Sequence, residues 1–391
     1  MDSLYLAWRY LSFYKARSLV LICCITIIAA LPLVLETLVD ESERQLSSRA
    51  QSSPLLIGAK GSSLDLVMNS LYFSDEQPEP ITMAAIDQVW DSGLAAPIPL
   101  HIRYKARTYP VVGTTLDYFD FRQLEILQGQ MFALIGQCVL GAEAARTLNL
   151  GPGDTITSSP EAMFDIAGVY PLKMTIAGVL SESNSADDRA VFVDIQTAWI
   201  IGGLGHGHTD VTRTQDESVI LKKDAANVTA NAKLMQYQEI TEDNIDSFHL
   251  HGDPADFPLT AVLAVPVDDK SATILQGRYL DTDNPYQIVR PAEVIDALLA
   301  TIFKIRTVLD GIIVLVGFAT LLSLVLVFSL SLRLREKEID TIFKLGASRA
   351  TVTCLLGAEI SIIIVVSGLI CSAIMLLAGH FDQEIVRRLL I

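Results

Sequence analysis

The sequence predicts a membrane protein with three α-helical spans and a large α+β domain in water, carried on helical stalks. Three observations predict this class. Apolar residues make up 51% of the 391-residue chain, and mean hydropathy is +0.40, well above that of ordinary soluble domains. The apolar residues concentrate in three runs, each long enough to supply the roughly 20 helical residues that cross a hydrocarbon core of about 30 Å. Between the first two runs lies a polar region, residues 36–303, long enough for one or two domains with their own cores.

Taken in order, residues 1–17 include "SLYLAWRYLSFYKAR", a mixture of aromatics, leucines and cations. That mixture suits either a helix lying in the headgroup region of the inner face or a simple extension of the first span. The first span, 18–35, reads "SLVLICCITIIAALPLVL". It lacks an A-x-A cleavage pattern, and helix formers continue beyond it, so it is read as an uncleaved span rather than a signal peptide. In the domain, "MTIAGVL" and "RAVFVDI" alternate with period two and predict strands. The stretch "GAEAARTLNL" predicts a helix ending at Gly151, before a "PGD" turn. A composition shift at "SNSADDRAV" marks a candidate subdomain edge. A helix start is signalled at Pro291, with Glu293 in the first turn. Helix from there to Arg335 would be about 65 Å long, more than twice the hydrocarbon core. The excess is expected to project as a stalk, paired with residues 36–48. The second span, 308–332, is followed by a charged loop at 333–349, a third span at 350–379 and a tail at 380–391.

Orientation follows from the cations flanking the spans. Arg9, Lys15 and Arg17 precede span one, and Arg333, Arg335, Lys337, Lys344 and Arg349 crowd the loop. The positive-inside rule places both in the cytoplasm and the domain outside, with Lys304 and Arg306 opposing but outnumbered. The formal net charge of −16 speaks against a nucleic-acid partner. Of five cysteines, Cys138 alone falls in the domain, which therefore has no internal disulfide and relies on its core.

The chemistry is sparse. In the loop, Ile339, Ile342 and Phe343 share one helical face. Glu336, Lys337, Glu338, Asp340 and Lys344 cover the remainder, and Gly346 supplies a stop. A short amphipathic helix is expected there, the alternative being a plain solvated turn. The segment "GAKGSS", Gly58–Ser63, has its lysine before the glycine, so it is no phosphate loop. Two H-x-H pairs, "GHGHTD" with His206 and His208 and "FHLHGD" with His249 and His251, are each followed by an aspartate, Asp210 or Asp253. Imidazoles and carboxylates together bind zinc or copper, and the alternative is a pair of polar loops. H-E-x-x-H and recognisable nucleophile–base arrangements are absent from the sequence, which gives an exported hydrolase no support. Glu359 is either a buried functional carboxylate within span three or a residue at its inner edge, and the edge is expected, since an uncharged run follows it.

Several stretches resemble one family. "REKEIDTIFKLGASRATVTCLLGAE" is similar to the inter-span loop of MacB/FtsX/LolC-type ABC transporter permeases, and "LAWRYLSFYKARSLVLICCITIIAALPLV" to their entry into the first span. "LIGAKGSSLDLVMNSLYF", "LGAEAARTLNLGPGDTIT", "FDIAGVY" and "MTIAGVLSESNSADDRAVFVDIQTAW" resemble the family's α+β periplasmic core domain. The resemblance implies a non-catalytic subunit of the bacterial inner membrane, multi-pass, with a cytoplasmic N-terminus and a periplasmic domain. It implies that the loop is a coupling helix seated on a separate cytoplasmic ABC ATPase. The contacts would come from Arg335, Glu336, Lys337, Glu338, Ile339, Ile342, Phe343, Lys344 and Leu345, with Gly346 and Ala347 forming the turn. Also implied are a second permease copy, identical or related, surrounding membrane lipid, a periplasmic adaptor, and cargo such as a lipoprotein or another extracytoplasmic substrate. No cofactor is expected on the chain itself, and ATP would be used by the partner. One departure is that the family's fourth span is missing, with Arg387 and Arg388 then on the disfavoured side. A short variant, a truncation or a helix supplied from elsewhere would each account for it. The alternative reading is a membrane-anchored periplasmic binding or sensor module, metal-responsive through the histidines.

Overall fold

The structure, a computed structural model, describes residues 2–159, 171–207, 220–223, 228–230, 238–281, 284–334 and 348–390, together with 340, 341, 343, 344 and 346. It divides into two units, one of residues 1–45 and 298–390, the other of residues 46–297.

The first unit is helical. Helix Asp2–Phe13 ends at Tyr14, and helix Lys15–Gln51 begins immediately after. The segments Leu4–Phe13 and Ser18–Val34 meet at a bend of 100°. Residues 1–17 are therefore not a straight extension of the first apolar run. The Ser18 hydroxyl secures the corner by donating to the Leu11 carbonyl at 3.1 Å in a buried position. Leu11, Leu21 and Ile363 bury together, with Ile22, Ile25 and Ile362 packed around them. Helix Arg349–Leu390 continues through residue 380, so the expected tail is helical too. Its buried residues Val352, Glu359, Ile363, Ser367 and Cys371 repeat at seven- and four-residue intervals and share one face. Ser367 reaches the Ile22 carbonyl at 3.4 Å from that face. Glu359 is 1% exposed, packed within the helical unit. The remaining surface shows Ile364, Val365, Leu369, Leu376 and Leu377 outward, as suits lipid.

By length and hydropathy, one helix among the described residues, Arg349–Leu377, is able to cross a bilayer on its own, and the bent pair Leu4–Phe13 and Ser18–Val34 passes together. The second apolar run lies in helix Pro291–Leu334, which is 44 residues long and about 66 Å at 1.5 Å per residue. It is not in that count, so of the three spans expected from the sequence the described residues support one, or two with the bent pair.

The second unit is α+β. Its main sheet has eleven strands. Across the sheet run Gln238–Glu239, Leu172–Leu180, Gln137–Leu140, Val191–Asp194, Tyr109–Thr114, Ala95–Ala106, Ala261–Pro266, Leu55–Ala59 and Tyr286–Val289, while Ile126–Gly129 and Thr155–Thr157 also pair with Leu172–Leu180. Both alternating segments read from the sequence are strands, and in Leu172–Leu180 the even-numbered residues from Leu172 to Ile176 are the buried ones. The helix Ala142–Leu148 ends earlier than expected. Asn149 takes the left-handed conformation at φ 53° that closes it, the role the sequence suggested for Gly151.

Two hydrophobic clusters support the sheet. One gathers Val111, Leu140, Met174, Ile176, Val191 and Val193, the other Leu55, Ile57, Val89, Val262 and Leu275. Helix Ile195–Ile201 belongs to both, with Ile195 and Trp199 in the second cluster and Ala198, Ile200 and Ile201 in the first. It approaches the sheet so closely that a Cβ built on Gly113 would lie 2.4 Å from the Ala198 Cβ. The run "SNSADDRAV" is no subdomain edge, because Asp187 and Asp188 within it are 2% and 1% exposed.

Candidate functional site

Three groups of residues are candidates, and the structure treats them differently. In the loop, Arg335, Glu336, Lys337, Glu338, Ile339, Ile342, Leu345 and Ala347 lie outside the described residues. Of the others, Phe343 is 39% exposed, and Lys344 pairs with Asp340 one helical turn earlier at 2.6 Å. Gly346 adopts φ 94°, a conformation that disfavours any side chain, and its N–H bonds the Phe343 carbonyl at 2.9 Å. A turn is therefore seen at the position where the sequence signals one.

Three of the four candidate histidines come together, while His208 lies outside the described residues. Strands Gly205–Gly207 and Phe248–Leu250 form a two-stranded antiparallel ribbon in which His206 sits directly opposite His249. His251 follows His249 by two residues, so it projects from the same side. The ladder extends to it through its N–H bond to the Leu204 carbonyl at 2.9 Å. Ring centroids are 5.4 Å apart for His206–His249, 4.8 Å for His206–His251 and 4.5 Å for His249–His251. One nitrogen from each ring lies within 4.8 Å of the others, and all three side chains are accessible to solvent. The intervening Phe248 and Leu250 pack against the first core cluster, and Leu250 reaches the second as well. Alternation thus fixes which face of the ribbon carries imidazoles. Gly205 fits where a Cβ would meet Leu250 at 2.8 Å and the His249 carbonyl at 3.0 Å, keeping the strands close. Asp253 is occupied, accepting from the Ala255 N–H at 3.0 Å as a cap.

The third group was not signalled by any motif. Arg49, in the last turn of helix Lys15–Gln51, is 7% exposed. Its two terminal nitrogens hold Asp187 in a bidentate pair at 2.7 and 2.9 Å. One of them also donates to the Tyr118 hydroxyl at 3.0 Å, which in turn donates to Asp187 at 2.8 Å. The Arg49 Nε donates to the Leu71 carbonyl, and the guanidinium stands 5.4 Å from the centre of the Phe73 ring. Nearby, Tyr72 donates to the Leu46 carbonyl, and Arg122 donates to the Ser52 and Ser53 hydroxyls at 3.1 and 2.7 Å. Burial alone would raise the Asp187 carboxyl, but the adjacent guanidinium outweighs it and holds the group below the ordinary carboxylate value. Burial pushes the phenols of Tyr72 and Tyr118 up to about 12, so both remain donors at neutral pH. The end of the helix is thereby bolted to a turn 138 residues away in sequence.

The family model of the MacB-like periplasmic core domain matches residues 19–237, more than half of the chain. The chain belongs to the MacB-like ABC transporter permease family. Among solved structures, a comparison relates the chain to the periplasmic region of MacB from Actinobacillus actinomycetemcomitans, at 11% identity and a TM-score of 0.35, over 65% of this chain and 97% of that one. It also relates the chain to the extracellular domain of the noncanonical ABC-type transporter YknZ from Gram-positive bacteria, at 11% identity and a TM-score of 0.33, over 60% of this chain and 98% of that one. No curated protein sequence matches. In this MacB-like permease, the Arg49 cluster is the feature sequence reading missed. Its trace is a lone arginine among small residues, "SSRAQSS", which lets a helix face be buried around one cation.

Proposed function

We propose that the chain is the permease subunit of an ABC transporter in which a separate cytoplasmic ATPase moves the domain of residues 46–297. The cargo is handled on the outer side of the membrane, a lipoprotein or similar extracytoplasmic substrate, rather than conducted between the spans. One observation carries this reading: helix Lys15–Gln51 does not stop with its apolar run but continues to Arg49, whose guanidinium is fixed inside the domain core. A plain membrane tether has no need of such a joint, whereas a rod that transmits displacement does. The unbroken 44-residue helix Pro291–Leu334 offers a second rod of the same kind. In this proposal the loop before Arg349 is the docking element, with Ile339, Ile342 and Phe343 as its apolar face and Gly346 as its turn. Two permease copies stand around one pair of ATPases, with the N-terminus in the cytoplasm and the domain in the periplasm.

The test is co-purification from membranes in which the chain is expressed with the Walker-type ATPase of a neighbouring reading frame. Ile342→Asp with Phe343→Asp should abolish co-purification while the permease still inserts. Unchanged co-purification and unchanged ATPase activity would overturn the proposal and favour an anchored binding module.

A further inference from the structure

We propose that His206, His249 and His251 form a site for one borderline divalent transition-metal ion of the zinc(II)–copper(II) class. The argument begins with register. A cross-strand pair and its i+2 neighbour are the closest grouping of three side chains that an antiparallel ribbon offers on one face. Here all three positions are histidine. In a tetrahedral site with metal–nitrogen bonds of about 2.0–2.1 Å, ligand nitrogens stand about 3.3 Å apart. The three nitrogens now lie within 4.8 Å of one another. The remaining gap is of the size that side-chain rotation can close, and these side chains are accessible to solvent.

Tautomer chemistry agrees. The His249 Nδ1 is 3.2 Å from the Ser247 carbonyl, which can only accept, so a hydrogen bond there would use an Nδ1 proton and leave Nε2 as the metal-binding nitrogen. Metal-bound histidines are characteristically held this way, with the second nitrogen donating to a carbonyl that fixes the ring. The support beneath is firm, because Phe248 and Leu250 anchor the ribbon to the cores, and the ribbon lies so near helix Ile195–Ile201 that a Cβ built on Gly205 would stand 3.1 Å from the Ile200 Cγ1. Three neutral imidazoles without thiolate select zinc, copper or nickel over magnesium or calcium, which prefer oxygen. Three protein ligands also leave a fourth position open to water or an incoming group. The proposal concerns the domain alone and is independent of whether an ATPase binds the loop.

The experiment uses the full chain purified in detergent and stripped with chelator, titrated with zinc chloride by calorimetry and with cobalt chloride by visible absorption. One equivalent should bind, with the d–d bands of a tetrahedral cobalt centre. Magnesium chloride at the same concentrations should give no heat. His249→Ala should weaken zinc binding by about 100-fold or more. The triple variant His206→Ala, His249→Ala, His251→Ala should lose it while keeping the thermal midpoint of the metal-free wild type, since none of the three lies in a core cluster. Absence of binding in the wild type would overturn the proposal, as would undiminished binding by the triple variant. The cobalt spectrum guards against calorimetric heat from detergent or non-specific sites, because an octahedral, solvent-like spectrum also counts against the site.

Discussion

Replacing Arg49 by methionine leaves the stem of the side chain in place and removes the cation. Asp187 then stays buried, with Tyr118 and Ser185 as its neighbouring donors. Removing one partner of a buried, hydrogen-bonded ion pair costs about 3–5 kcal/mol, chiefly because the surviving charge has lost its counterpart. The Leu71 carbonyl also loses its donor. For a unit of this size, 1 kcal/mol moves the melting temperature by about 2–4 °C, so Arg49→Met should lower it by roughly 6–20 °C. Residues 46–297, expressed alone, can be melted while tryptophan emission is followed. Trp199 is 5% exposed and Trp90 is 68% exposed, so the change will report mainly on the core. Adding Asp187→Leu should recover part of the loss, since an apolar pair of similar volume is tolerated where a lone charge is not. A drop below about 3 °C for Arg49→Met, or losses that simply add in the double variant, would show that the ion pair is not what fastens the helix end.

Other expectations follow from the same geometry. His101 is 2% exposed, with neither ring nitrogen bonded, and burial, followed by nearby Arg103, lowers it from 6.5 to about 4. The unfolded chain therefore binds the extra proton between those values, so stability is full above pH 6.5 and declines by ~3 kcal/mol as pH falls to 4. Melting temperature against pH should show this slope in the wild type and not in His101→Phe. Asp187, lowered instead, contributes stability above the ordinary carboxylate range that is lost only as pH falls through its still lower folded value, so the two acid transitions should separate. A Cβ on Gly141 would lie 2.2 Å from the Asp187 carbonyl and 2.4 Å from that of Asp188. Gly141→Ala should thus cost about 1–3 kcal/mol by displacing the turn that carries Asp187, and less when Asp187 is already replaced, as a thermal double-mutant cycle would reveal.

Much of the architecture was legible because it rests on periodicity. Alternation in "MTIAGVL" and "RAVFVDI" marks strands because one face of each is buried, and the proline and glutamate at Pro291 and Glu293 mark a helix start through local capping rules. The Phe-His-Leu-His alternation at 248–251 was also present in the chain. It reads as a loop until a second strand supplies the face to which Phe248 and Leu250 turn. Long-range chemistry was opaque. Arg49 and Asp187 are separated by more than a hundred residues, and each alone looks like an ordinary surface charge. Composition even suggested a boundary at "SNSADDRAV", because paired aspartates normally mark solvent, whereas here they fill the interior.

The short helix Ile195–Ile201 has a consequence for how this domain can move. Because about two turns of helix supply side chains to both apolar clusters, neither cluster can slide or hinge against the other without tearing that segment from its seat. A force applied to this body is therefore expected to displace it as a block rather than to be absorbed as deformation between its two clusters.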